Sequence, residues 1–265
     1  MMATTAQPHR FGLPAKVASV ILATVALWLV LPAIPQDPSY HAFADARAWL
    51  GIPYAANVVS SVAFVVVGAV ALGRLVHGEG RRFDAATHAS LWCIAAGIVG
   101  TGIGSAWYHH APGDAALVWD RLPMTVVFAA IMAIGIAQRV SVRLGAATLL
   151  VLVVLGAASI AYWRHTGDLS LYGLVQFGPM AGLLALLALT PHGHDPFPWG
   201  AMFVLYALAK AAELEDAKIW EFTSNLLSGH TLKHLLAAAS AAAALWPVLA
   251  ASNSVPLLGD RHARP

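Results

Sequence analysis

Two residue pairs carry most of the chemistry in this sequence. Ser105 and His109 lie four apart in "GSAWYHHAPGDAALVWDRLPM" (104–124), and His230 and His234 lie four apart in "SGHTLKHLLAA" (228–238). A helix puts residues at that spacing on one face. Two imidazoles so placed form a bidentate metal grip. A third from another helix makes a three-nitrogen site with an open position, the pattern of a catalytic zinc rather than a closed structural one. His109 is the preferred third ligand, because His110 points about 100° away and leaves the Ser105 face. Asp120 follows His109 by eleven residues. It is placed to orient or deprotonate a water beside the metal.

Each residue also has a plainer reading. Asp120, three residues before Pro123, suits a helix N-cap. Ser105 can bond back to a carbonyl of its own helix. His109 can be an interfacial histidine, and one i,i+4 histidine pair can arise by chance among 12 histidines. The plain readings must also explain why all these groups reach the membrane at one depth, where polar side chains are costly and tend to be functional.

The elements that position them are membrane helices. The chain has 265 residues, 59% of them hydrophobic and 11% charged, against about 25% charged in a soluble domain. This composition reads as an integral membrane protein, all-α and built as a single helix bundle. A formal net charge of +2 gives no basic surface for nucleic acid. The single cysteine, Cys93, excludes an internal disulfide and a thiolate zinc cage. Eight apolar stretches approach the roughly 20 residues a spanning helix needs: about 16–34, 54–76, 88–110, 118–138, 143–163, 171–190, 198–214 and 231–250. The first is read as a retained helix rather than a cleaved signal, because its apolar core is long and no clean small-x-small site follows. Lys210 and Glu213 interrupt the seventh. Most of the nine tryptophans fall near segment ends, where amphipathic rings favour the interface.

Orientation follows the positive-inside bias. With a cytoplasmic N-terminus, Arg10, Lys16, Arg74, Arg81, Arg82, Arg139, Arg143, Arg261 and Arg264 lie inside. Arg47, Arg164 and Lys218 lie outside, with Arg121 and Lys233 at outer helix ends. Both termini are then cytoplasmic. The end of the third segment and the starts of the fourth and eighth, which carry the polar residues, meet at the outer (periplasmic or lumenal) face.

These residues resemble a family. "SAWYH", then Asp120 before "LPM", then a late "HTLKH" are similar to the alkaline ceramidases, members of a wider superfamily of seven-helix membrane hydrolases that includes the adiponectin receptors. The resemblance implies that His109, His230 and His234 hold zinc and that Ser105 and Asp120 assist at the reacting carbonyl. "GIPYAANVVSSVAF" looks like the family's first core helix, with Asn57 and Ser61 at polar positions. The match runs from about residue 40 to 250 and makes 54–250 a seven-helix core, with 16–34 an added N-terminal helix. Animal members carry an acidic calcium-binding stretch before that core. Here "YHAFADARAWLG" offers only Asp45, so zinc is the expected metal and calcium is not.

The expected activity is hydrolysis of a ceramide-like lipid amide, entering from the bilayer, to a sphingoid base and a fatty acid. The alternatives are an adiponectin-receptor-like zinc protein acting as a receptor, and a hydrolase of another ester or amide lipid. A transporter fits less well, because the polar groups gather at one face instead of crossing the bilayer. Nothing points to a protein partner. Lys210, Glu213 and Asp216 fall three apart, as a network supporting the site or as a solvated helix end. Gly97, Gly100, Gly102 and Gly104 either line an approach to Ser105 or let helices pack closely.

Overall fold

The computed structural model describes residues 26, 28–30, 32–190 and 195–250. Segment 16–34 therefore lies largely outside the described residues, as do Arg10, Lys16, Arg261 and Arg264. Among the described residues the fold is helical, with no strand. Five helices are long and apolar enough to cross a membrane: α1 (Ala55–Val76, with an irregular turn at Ser61), α2 (Ala85–His110), α3 (Asp114–Arg139), α4 (Val142–Thr166) and α5 (Ser170–Leu189). They define a multi-pass membrane protein. Then come α6 (Trp199–Leu214), short α7 (Asp216–Phe222), α8 (Gly229–Ala244) and one final turn, α9 (Trp246–Leu249). Helices α6 and α8 have 16 residues each. Each is extended past a one-residue break, at Glu215 and Leu245, by the short helix that follows.

Local signals set the helix ends. Asp84 accepts from the amides of Ala86 and Thr87 to start α2, Ser141 from Leu144 to start α4, and Ser228 from Thr231 to start α8. Gly167, at φ +74°, ends α4 in the left-handed region. Helix α3 begins at Asp114, right after Pro112-Gly113, four residues before the expected start at 118.

The bundle is sequential along its first half, with α2 against α3, α3 against α4 and α1 against α2. It closes through α8, which packs on α6 and also touches α1 and α2. That closure sets the late histidines beside the early one. Val66, Leu150, Val154, Leu184 and Val204 are more than half exposed, a surface suited to lipid and costly in water. Of the tryptophans, Trp49, Trp107, Trp119 and Trp246 are exposed, whereas Trp163 and Trp199 are buried and packed.

Glycines set the spacing of α1, α2 and α3. A Cβ on Gly97 would meet Val127 of α3, one on Gly100 would meet Pro123, and one on Gly102 would meet Val65 of α1. At Gly104 it would run into the backbone of Trp119. These glycines therefore serve close helix packing. Trp119 is the residue whose carbonyl loses its intrahelical donor to Pro123, four residues on. So α2 comes closest to α3 where α3 has a free carbonyl, and this sets Ser105, next to Gly104, beside Asp120, next to Trp119.

Candidate metal centre

His109 comes from the last turn of α2, and His230 and His234 from the first two turns of α8. All three are buried. Their closest ring nitrogens lie within 4.8 Å of one another. The Nε2 atoms of His109 and His230 are 3.2 Å apart. The three ring centroids form a near-equilateral triangle of 4.8, 4.9 and 4.9 Å. His110 is exposed and takes no part.

The donor set fits a metal ion. Ser60 Oγ donates to the Asn57 carbonyl (3.1 Å), so it accepts from Nδ1–H of His234 at 2.8 Å. That chain fixes the tautomer and leaves the Nε2 lone pair facing the cluster, as a metal ligand requires. Nδ1 of His109 is buried with no hydrogen-bond partner, which leaves its Nε2 as the atom facing the other two imidazoles. Three packed imidazoles have neutral donor atoms suited to zinc, copper, iron or nickel rather than to magnesium or calcium.

Ser105 and Asp120 stand beside this cluster. Ser105 Oγ is 3.4 Å from His234 Nε2, and the Asp120 side chain lines the same cavity. Both are buried. Asp120 is not a helix cap: α3 begins at Asp114, with Gly113 in the cap position, so Asp120 lies almost two turns inside. A cavity with apolar walls, among them Ile98, Phe128, Ile131, Met180 and Met202, runs to these groups. Its polar end carries Ser105, Asp120, Lys233 and His234.

The expected supporting residues are drawn inward. Glu213 is paired with Lys210 and, at 2.9 Å, with Lys233 of α8. Asp216 accepts the backbone N–H of His230 at 2.7 Å with one oxygen and that of Ala44 at 2.9 Å with the other. It thereby ties the first turn of α8 to the strand of chain before α1. The solvated ion pair at this helix end is a different one, Glu215 with Lys218. Asn57 accepts from Thr231 Oγ1 at 2.8 Å and joins α1 to α8.

The chain before α1 covers the cluster. Phe43 packs its ring 4.6 Å from both His109 and His230. His41 meets the Tyr108 hydroxyl at 2.9 Å, and the Tyr40 hydroxyl donates to Glu213 at 3.3 Å. Burial, and then the Glu213 carboxylate, hold the Tyr40 phenol above its usual range, so it remains the donor of that bond. Asp45 is taken up by Arg47 through two side-chain bonds of 2.8 Å and a backbone bond. Burial opposes its ionisation, but these bonds hold it below the usual carboxylate range.

Ser60, Thr231, Phe43 and Tyr40 carry no sequence signal, because each earns its place through a partner more than 60 residues away. Lys233 stood out in sequence only as a charge at a helix end.

Fold and site together define a helical membrane protein with a buried three-histidine cluster able to hold a metal ion. No protein-family model matches the chain, and no curated protein matches it.

Proposed function

We propose that this protein is a zinc-dependent membrane amidohydrolase that cleaves ceramide-like lipid amides to a sphingoid base and a fatty acid. One observation supports the reading above others: three buried imidazoles converge beside a hydroxyl and a carboxylate at the end of an apolar cavity. The cavity walls suit an acyl chain. The resemblance to the alkaline ceramidases supplies the substrate class. In this reading α1–α6 and α8 are the seven-helix core, and 16–34 adds a helix before it. Both termini are cytoplasmic and the site opens to the outer face.

Zinc, which His109, His230 and His234 would hold, would supply a double positive charge able to polarise a carbonyl and to lower the pKa of a water from 15.7 to about 7. The chain's own groups do the rest. Asp120 takes the proton that the attacking water loses as the new C–O bond forms. Ser105 donates its hydroxyl to the carbonyl oxygen as that oxygen gains charge. The C–N bond breaks and Asp120 returns the proton to the leaving nitrogen. Phe43 and its neighbours shut bulk water out of the site.

The test is metal analysis of purified protein combined with product analysis on a lipid panel of ceramides, phospholipids and acyl esters. About one zinc per chain and paired release of fatty acid and sphingoid base are expected. His230→Ala/His234→Ala should lose both the metal and the activity. Full zinc occupancy in that double variant would remove the site. Products from an ester lipid alone would move the reading to another lipid hydrolase.

A further inference from the structure

Lys233 follows His230 by three residues, so both project from one side of α8. Its Nζ lies 3.5 Å from His230 Nε2 and 2.9 Å from Glu213 Oε1. The side chain is 15% exposed and lines the polar end of the cavity with Ser105, Asp120 and His234. Glu213 does not need it as a partner, because Lys210 and the Tyr40 hydroxyl already bind that carboxylate. Two ammonium groups share one carboxylate, and Lys233 is the one that reaches the cavity wall. A cation beside three metal-binding nitrogens repels any cation held there. Metal binding alone therefore disfavours a lysine at this position; the carboxylates of Glu213 and Asp120 offset its charge, and an oxyanion forming in the cavity would meet the same ammonium.

We propose that Lys233 is a further catalytic residue, whose ammonium contacts the substrate's carbonyl oxygen as it becomes an oxyanion and then the carboxylate of the product. The inference rests on the hydrolase reading for the reaction, but the anion site stands on the geometry alone. In the step itself, water adds to the carbonyl carbon and the C=O electron pair moves onto oxygen, opposite the Lys233 and Ser105 donors. The carbonyl re-forms as the C–N bond breaks, and the proton carried by Asp120 leaves with the amine. Lys233 keeps its own protons throughout. A preset donor in a dry site is the most effective form of such stabilisation.

Two measurements test this on the full-length protein in detergent. The first is turnover of a fluorescent ceramide by the native, Lys233→Met and Lys233→Arg proteins. Lys233→Met should lower kcat about 100- to 1000-fold, the scale of one lost oxyanion donor, with KM, zinc content and melting temperature held. Lys233→Arg, which keeps the charge, should recover part of the loss. The second measures displacement of a bound fluorescent lipid by palmitic acid and by hexadecanol, which share a chain length. The native protein should prefer the acid, and Lys233→Met should lose about tenfold of that preference at equal zinc content. The same acid preference in both proteins overturns the proposal, as does near-native kcat in Lys233→Met. If no amide is cleaved even by the native protein, the hydrolase reading fails and the displacement result decides the anion site. If Lys233→Met does not fold, Lys233→Gln, which removes the charge but keeps a polar group beside Glu213 and leaves the Glu213–Lys210 pair in place, is measured in the same way.

Discussion

At the scale of single residues, Asp120 and Ser60 make opposite demands on experiment. Asp120 lies inside α3 and is buried, so Asp120→Asn removes a proton acceptor while keeping shape and most hydrogen bonding. Turnover should fall about 100-fold or more, with zinc content and melting temperature near native; near-native turnover would remove Asp120 from the reaction. Ser60 touches no substrate. It holds the His234 tautomer through a 2.8 Å bond, and loss of such a support typically costs about 10- to 100-fold in metal affinity. Ser60→Ala should therefore weaken zinc binding in a competition titration while the zinc-saturated protein keeps much of its turnover. Unchanged affinity would make the bond incidental. The two residues differ in how far they could be read beforehand. Ser105, His109, His230 and His234 were legible because helical spacing puts each pair on one face. Ser60 was not, since its role exists only once α1 and α8 meet across 174 positions. Its neighbour Ser61, at a polar position of the first core helix, bonds to its own helix at the Asn57 carbonyl.

At the scale of elements, α2 is the helix on which the site is registered, and glycine sets how near it lies to its neighbours. In an open helix position, Gly→Ala stabilises by about 1 kcal/mol. Gly73 in α1 has nothing within 4 Å of an added Cβ, so Gly73→Ala should raise or hold the melting temperature. At Gly104 the same methyl would meet the Trp119 backbone, which cannot give way as a flexible side chain can. Overpacking of this kind costs about 1–3 kcal/mol, enough to reverse the sign. Gly104→Ala should lower the melting temperature and turnover together, since it separates Ser105 from Asp120. Thermal unfolding of the two variants side by side provides the check, and equal shifts would show that α2 and α3 are not held by this contact. The glycine run was visible in sequence, but whether it faced a substrate or a helix depended on which neighbour lay opposite.

At the scale of the whole molecule, hydropathy located the five helices long and apolar enough to cross a membrane to within a few residues, because lipid-facing helices need apolar length whatever their packing. It misplaced the start of α3, where Asp114 begins a helix that an apolar window dates from 118. The polar interior was harder to see. Lys210, Glu213 and Asp216 interrupt an apolar stretch in the sequence, yet they face inward to join α6, α7 and α8 around the cluster.

Orientation is the remaining property of the whole molecule, and it decides which compartment the site serves. Charge bias puts the loop between α1 and α2 inside, with Arg74, Arg81 and Arg82, and the loop between α2 and α3 outside. His77 in the first loop and Ala115 at the start of α3 are both exposed, so single cysteines there should react without disturbing the core. With Cys93 replaced by Ala, a membrane-impermeant maleimide added to intact cells should label Ala115→Cys and spare His77→Cys, and lysis should let both react. The Ala115 end of the bundle is also the metal end, since α2 reaches it at His109 and α3 leaves it at Asp114. The labelled side is therefore the side on which the histidine cluster lies. Labelling of His77→Cys alone in intact cells would reverse the topology and turn the site towards the cytoplasm, with the metal centre and its chemistry otherwise unaltered.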